Sequence, residues 1–306
     1  MIDGVLSAAR LLQFAASLML FGSALFCLYG RPVETTDLSG GHWAWTRSLL
    51  LIASATGLVA TIAWLMPEAK SLTGTWTSWS DVLTQTRFGR VAALRALLLA
   101  VLFAAAALGR PAKRLWITAA ILGGTVVASF AWTGHGSMGS GPVTLVHRGA
   151  DALHLLAAGV WLGALPSLSI LVVRSLPTQK PADVRVIAHG LVRFSAFGPA
   201  VVAILILTGL VNSWFLIGVQ HWRALFHTPY GQVLLAKLAL FLLMLVFAAA
   251  HRFWLTPQLL MQLSAATSES GVLRKLRVSL IAETALALLV LAAVAVLGLL
   301  EPPASM

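Results

Sequence analysis

Eight predominantly apolar stretches of roughly 20 residues or more follow one another along the chain, joined by short polar connections. Their approximate spans are 5–29, 44–66, 88–109, 114–132, 147–174, 190–217, 231–255 and 277–299. A run of that length crosses the hydrocarbon layer only if every backbone N–H and C=O is satisfied within the protein, which for separate long runs means helices. The expected fold class is therefore all-α: a polytopic membrane protein, a bundle of eight transmembrane helices forming a single integral membrane domain over 1–306. A hydrophobic fraction of 59% with only 10% charged residues excludes an ordinary soluble domain. The formal charge of +11 would suit a nucleic-acid binder only if the basic residues clustered on a soluble face. They sit instead in the short connections, so the expected partner is the lipid bilayer and not nucleic acid. The first stretch is too long for a signal-peptide core and no basic residues precede it, so it is expected to be a retained helix.

The same basic residues predict orientation, because Lys and Arg are held on the cytoplasmic side. Arg110, Lys113 and Arg114 mark the third connection, Arg174, Lys180, Arg185 and Arg193 the fifth, and Arg252, Arg274, Lys275 and Arg277 the seventh. Those connections are expected inside and both termini outside; the second connection, with Lys70, Arg87 and Arg90, fits less well. Trp43, Trp45, Trp64, Trp116, Trp132, Trp214 and Trp254 fall near the expected interfaces, whereas Trp161 lies mid-helix in "GVWLG", where small residues allow close helix approach. Cys27, the lone cysteine, rules out an intrachain disulfide, a thiolate zinc cluster and a CxxCH haem attachment, and is expected to be an inert buried residue.

Ionisable groups inside membrane segments are costly and usually functional. The densest group is in "WTGHGSMGSGPVTLVHRGADALHLLAAGVWLG". His147, Asp151 and His154 are four and three residues apart and share one helix face, with the two histidines about 10 Å apart along the axis. That is too far for one shared ion, so each needs partners from elsewhere. His135 and Met138 in the preceding glycine-rich loop are the nearest, with His221 and His227 next, and Met66 at the outer end of the second helix a further candidate. Imidazole and thioether together suit a copper ion, as Cu(I) or Cu(II), and a carboxylate such as Asp151 can fix a histidine tautomer. Arg10, Arg95 and Lys237 lie at about the depth of Asp151, making Lys237 with Asp151 a candidate buried pair. Glu283 falls on the inner side, nearer Arg252 and Arg193.

Excess cations in the outer half keep a second reading open: a b-type haem or quinone redox protein, with His154 as axial ligand and the cations facing haem propionates. An absorbance spectrum separates haem b from bare copper. A third reading is a copper sensor or assembly partner without transport. No ATP-binding loop or phosphorylatable aspartate motif is present, so any transport is expected to be passive or coupled to another gradient, and no catalytic residues are expected.

The segments "GHGSMGSGPVTLVHRGADALHLLAAGVWLGAL", "LTGLVNSWFLIG", "LFHTPYGQVLLAKLALFLLMLVFAAAHRFWLTP" and "LRKLRVSLIAETALALLVLAAVAVLGLLEPP" resemble the CopD (PcoD) family of bacterial copper-resistance proteins. The resemblance covers about 132–303, while 1–130, the first four helices, match mainly in hydropathy and helix count. It implies an eight-helix inner-membrane protein that handles periplasmic copper beside a small periplasmic CopC-like protein, here a separate chain because no room remains for a fused one. By family pattern, Asn212, Tyr230, Lys237, Arg252 and Glu283 match polar positions within the helices, with scaffold, gating or charge-compensating roles. The leading expectation is copper movement from periplasm toward cytoplasm through the outer His and Met groups.

Overall fold

A computed structural model describes residues 2–30, 44–73, 79–109, 112–133, 141–175, 181–265 and 270–305. Helix α1 (Ile2–Tyr29) is the hub of the bundle, packed against α2 (Ala44–Thr73), α5 (Lys113–Ser129), α6 (Pro142–Ser175) and α11 (Ser270–Leu297). Glycine makes the tightest of these contacts possible. A Cβ on Gly163 of α6 would lie 2.5 Å from Gly22 Cα of α1, and one on Gly159 would lie 2.7 Å from the Phe21 ring. Gly159 and Gly163 are the two glycines of "GVWLG", so the expected close approach occurs there, with the small-xxx-small spacing that lets two backbones meet.

The remaining elements are α3 (Trp79–Gln85), α4 (Arg87–Leu108), α7 (Pro181–Leu216), α8 (Ala224–His227), α9 (Pro229–Ala250), a π-helical turn over His251–Leu255 and α10 (Thr256–Ser264). No strand occurs among the described residues. Eight helical stretches are long and apolar enough to cross a membrane: Gly4–Tyr29, Trp45–Pro67, Arg87–Leu108, Lys113–Trp132, Pro142–Ser175, Asp183–Leu216, Pro229–Ser264 and Gly271–Leu297. The protein is an all-α, polytopic membrane protein. Its long helices alternate in direction. One end of the bundle, here the terminal face, carries the start of α1, the starts of α6 and α9 and the end of α11. The opposite face carries the end of α1 and the starts of α5, α7 and α11.

Several helices run further than hydropathy alone predicts, α2 and α6 at the terminal face and α7 and α11 at the opposite face. Helix α7 begins at Pro181, not near 190, and α11 at Ser270, not near 277. Both added segments are amphipathic. Val184, Val186, Ile187 and Ala188 are buried between the more polar Arg185 and His189, and Val272, Leu273 and Leu276 are buried beside exposed Arg274 and Lys275. Charged residues lower the mean hydropathy there while the helical repeat continues. Arg47 belongs to the same end, where its guanidinium donates to the Ala106 and Ala107 carbonyls at 2.7 Å and caps the end of α4.

The tryptophans correct the sequence reading in part. Trp132, Trp214 and Trp254 are exposed as interfacial residues should be, but Trp45, Trp64 and Trp116 are buried. Trp64 has a specific reason to be inside: the guanidinium carbons of Arg10 and Arg95 lie 4.8 and 5.6 Å from its ring centroid. Arg95 also stands 4.1 Å from the Phe130 ring and donates to Ser129 Oγ, the Ser129 carbonyl and Thr133 Oγ1 at 2.8, 3.0 and 2.6 Å. The aromatic and hydroxyl partners, not a lone solvated charge, hold Arg95 in the bundle. Trp43 lies outside the described residues.

Candidate functional site

A cavity of about 380 Å³ lies in the terminal half of the bundle, walled by α1, α6, α7, α9 and α11. His147, Asp151 and His154 of α6, Asn212 of α7, Tyr230 and Lys237 of α9 and Arg10 of α1 all line it. The two helix histidines and five further polar side chains thus meet in one space, although they come from four separate stretches of sequence.

His147 lies in the second turn of α6, buried with its ring stacked on Phe215 at 4.5 Å between centroids. Two turns deeper, His154 Nδ1 is 2.9 Å from Thr208 Oγ1. The Thr208 hydroxyl has one hydrogen, which it gives to the Ile204 carbonyl at 2.5 Å. It must therefore accept from His154, so Nδ1 carries the ring proton and Nε2 the free lone pair. This is the tautomer-fixing role that the sequence suggested for Asp151. Asp151 instead accepts from Asn212 Nδ2 at 3.3 Å and interacts electrostatically with Lys237 on the same cavity. The candidate pair Asp151 and Lys237 thus line one cavity.

Arg10 faces the cavity, whereas Arg95 sits behind Trp64 and does not line it. Tyr230 is buried beside Ile217, Leu234 and Leu297. His221 and His227 are exposed on the connection between α7 and α9, and Met66 is exposed on α2; none of the three lines the cavity. His135 and Met138 fall within 134–140, outside the described residues. Among the described residues, no three His, Cys, Asp or Glu side chains converge closely enough to hold a metal ion.

A second cavity, about 350 Å³ and mostly apolar, lies beyond the first, between α6, α7, α9, the π turn and α11. Trp161 and Ile206 line both cavities, so the indole stands at the partition between them. Trp161 Nε1 donates to Glu283 Oε1 at 2.9 Å, and its ring meets Phe241 edge to face at 5.9 Å. Glu283 Oε2 stands 3.2 Å from His251 Nδ1, and His251 Nε2 is 2.7 Å from Ser279 Oγ. The partner of Glu283 is thus His251, not the neighbouring Arg252, whose guanidinium donates to the Ser195 carbonyl.

Sequence reasoning passed over His251 because it drew both segments too short, ending one near 255 and starting the other near 277. Measured from the observed spans, His251 lies 13 residues from the end of its segment and Glu283 12 from the start of its own, so the two sit at matched depth. The π turn that begins at His251 is a local feature common at functional sites and carries no simple sequence signature.

Two family models match the chain: "Copper resistance protein D-like, N-terminal domain" over residues 1–145 and "Copper resistance protein D" over residues 188–297. The likeness therefore extends through the first four helices, beyond the region where the sequence alone carries it. The chain is 33% identical to "Copper resistance protein D" of Pseudomonas syringae pv. tomato, over 98% of this chain and 97% of that one. It is 26% identical to "Inner membrane protein YebZ" of Escherichia coli K12 over 82% of this chain and 84% of that protein. A shorter match, 36% identical over 33% of this chain and 18% of the relative, is to "Copper transport protein CutJ" of Bacillus subtilis. No solved structure matches. With these helices, this polar cavity and a relative matched almost end to end, the chain belongs to the copper resistance protein D (CopD) family of membrane proteins.

Proposed function

We propose that the protein, as one integral membrane domain, carries copper from the periplasm toward the cytoplasm across the inner membrane, admitting the ion through the cavity at the terminal face. The observation that carries this reading is that His147 and His154 line one cavity, with the His154 Nε2 lone pair left free by the Thr208 bond. Imidazole nitrogen serves either copper oxidation state. The spacing of two turns makes the histidines successive stations and not one chelate, with His135 and Met138 as the further proposed ligands. The concentration of Arg47, Lys113, Arg114, Arg174, Arg185, Arg274, Lys275 and Arg277 at the opposite face supports placing that face in the cytoplasm and both termini in the periplasm. A separate periplasmic CopC-like protein delivers the ion.

The test is copper accumulation in cells expressing His135→Ala, His147→Ala or His154→Ala at wild-type levels. Loss of one nitrogen ligand is expected to lower uptake by about tenfold or more, equivalent to about 1.4 kcal/mol in binding. Thr208→Val, which keeps the shape but frees the tautomer, is expected to give a smaller loss. Unchanged accumulation in all three histidine variants defeats the assignment.

A further inference from the structure

We propose that Glu283 and His251 form a proton-binding site that exchanges one proton for each copper charge crossing the Trp161 partition, which makes the proton the coupling ion of the transport proposed above. The chain has ten acidic residues. Among the eight spans only Asp151, Asp183 and Glu283 occur, and Asp183 is the first residue of its span. Asp151 belongs to the terminal cavity, so among the described residues Glu283 is the one carboxylate at the partition, held by the Trp161 indole, fully buried and lining neither cavity itself.

The groups around it are built to take up and release a proton. One carboxylate oxygen accepts from the Trp161 indole and the other faces His251 Nδ1. On the far side of the imidazole, Ser279 can donate to Nε2 or accept from it. With one proton on the ring, Ser279 donates and the pair carries a charge of −1. A second ring proton turns the Ser279 hydroxyl round to accept, and the pair becomes neutral. Ser279 keeps its contact with the ring in both states, while Glu283 Oε2, buried without a hydrogen bond, faces the imidazole at 3.2 Å.

Among the described residues, the surrounding elements bring no second carboxylate to the pair: Asp183 lies at the start of α7 and Asp151 lines the terminal cavity. On the π turn, Arg252 is engaged by the Ser195 carbonyl. Helix α6 presents the Trp161 indole and, one layer on, Ser169, which is 3.4 Å from Thr284. Helix α7 carries His189 and Arg193 toward the opposite face, α9 carries Lys237 on the other cavity, and Arg274, Lys275 and Arg277 of α11 are exposed. On α1, Cys27 and Tyr29 lie near its end at that same face.

A buried carboxylate demands compensation. Here either a proton on His251 or a cation passing Trp161 supplies it, and two positive charges at once would exceed the single negative one. Arrival of Cu(I) therefore releases the second ring proton from His251 to water at the terminal face, and departure of the ion lets a proton return from the opposite face. No electron moves, and one H⁺ balances one Cu⁺. Passage is then electroneutral.

The full-length protein in liposomes, with Cu(I) as probe and a pH dye inside, tests this. Wild type is expected to move protons opposite to copper, about one for one. Its steady-state copper ratio should shift by about tenfold per unit of imposed pH difference and not respond to membrane potential. His251→Gln, which keeps the carboxylate, should pass copper without the proton signal or the pH response, and Glu283→Gln, which also removes the charge that meets the cation, should lose both and lower the copper flux as well, whereas Trp161→Phe, which keeps the Glu283 and His251 pair, should retain both. Copper flux in wild type without proton movement overturns the coupling, as does a pH response that survives in Glu283→Gln. Absence of any wild-type copper flux overturns the transport reading instead.

Discussion

Gly163→Val is expected to leave little correctly folded protein, lowering stability by about 3 kcal/mol or more in detergent. The first carbon of any side chain there would stand 2.5 Å from both Gly22 Cα and the Leu18 carbonyl oxygen of α1. Neither neighbour is the flexible end of a side chain; both are backbone within a helix that also packs on α2, α5 and α11. Overpacking a core usually costs 1–3 kcal/mol when side chains can shift, and this contact removes that outlet. Against a total stability of about 5–15 kcal/mol the loss is large. Moving α1 away from α6 would also displace Trp161, two residues earlier, from its place between the cavities. Gly149→Ala is the internal control. It lies on the same helix with nothing within 4 Å of a new Cβ, so it should be neutral or stabilise by up to about 1 kcal/mol. Thermal midpoints and size-exclusion profiles of the two purified variants read the difference directly. A wild-type midpoint for Gly163→Val would mean that α1 and α6 do not meet there.

The second large effect is a rescue. Asp151→Asn and Lys237→Met are each expected to destabilise the protein by about 2–3 kcal/mol, while the double variant recovers to within about 1 kcal/mol of wild type. Each single change leaves one charge in the cavity without its counterpart, and breaking a buried pair costs about 3–5 kcal/mol where water is excluded. The polar lining by Asn212, Tyr230 and His147 places this pair somewhat below that range. Replacing both partners removes the charge altogether, so the cycle should show an interaction energy of about 3 kcal/mol or more. Strict additivity of the two single effects would mean that Asp151 and Lys237 act independently.

Eight helices, their alternation and the close approach at "GVWLG" follow from hydropathy length and from small residues four apart, which are local properties of the chain. The cavity is only half local. His147, Asp151 and His154 share a face because of helical spacing, and Lys237 was reachable by matching depths. Thr208 and Phe215 were not, because a threonine or phenylalanine in an apolar run looks the same whether it faces lipid or a histidine. The His251 and Glu283 pairing failed for a different reason. Amphipathic ends at α7, α10 and α11 dilute hydropathy with Arg, Lys and Gln, so the segments seem shorter than they are and the depth of both residues is misjudged. Trp45, Trp64 and Trp116 were misplaced because proximity to a helix end says nothing about which side of the helix meets lipid. Arg10 and Arg95 show what the indole of Trp64 was for.

The π turn at His251–Leu255 holds one residue more than the α-helical ladder it interrupts. The stretch above it is therefore phased to the terminal cavity through Leu234, Lys237 and Met244, and the stretch below it to the packing of Leu259, as two separately registered pieces. Loss of a single residue within the turn would heal the ladder and leave both pieces on the faces they now present, whereas a loss in the regular helix on either side would swing everything beyond it by about 100°. A one-residue deletion there should thus leave a regular helix whose two ends keep their packing while His251 loses the backbone setting that the turn provides, which separates the role of the turn from that of the helix around it.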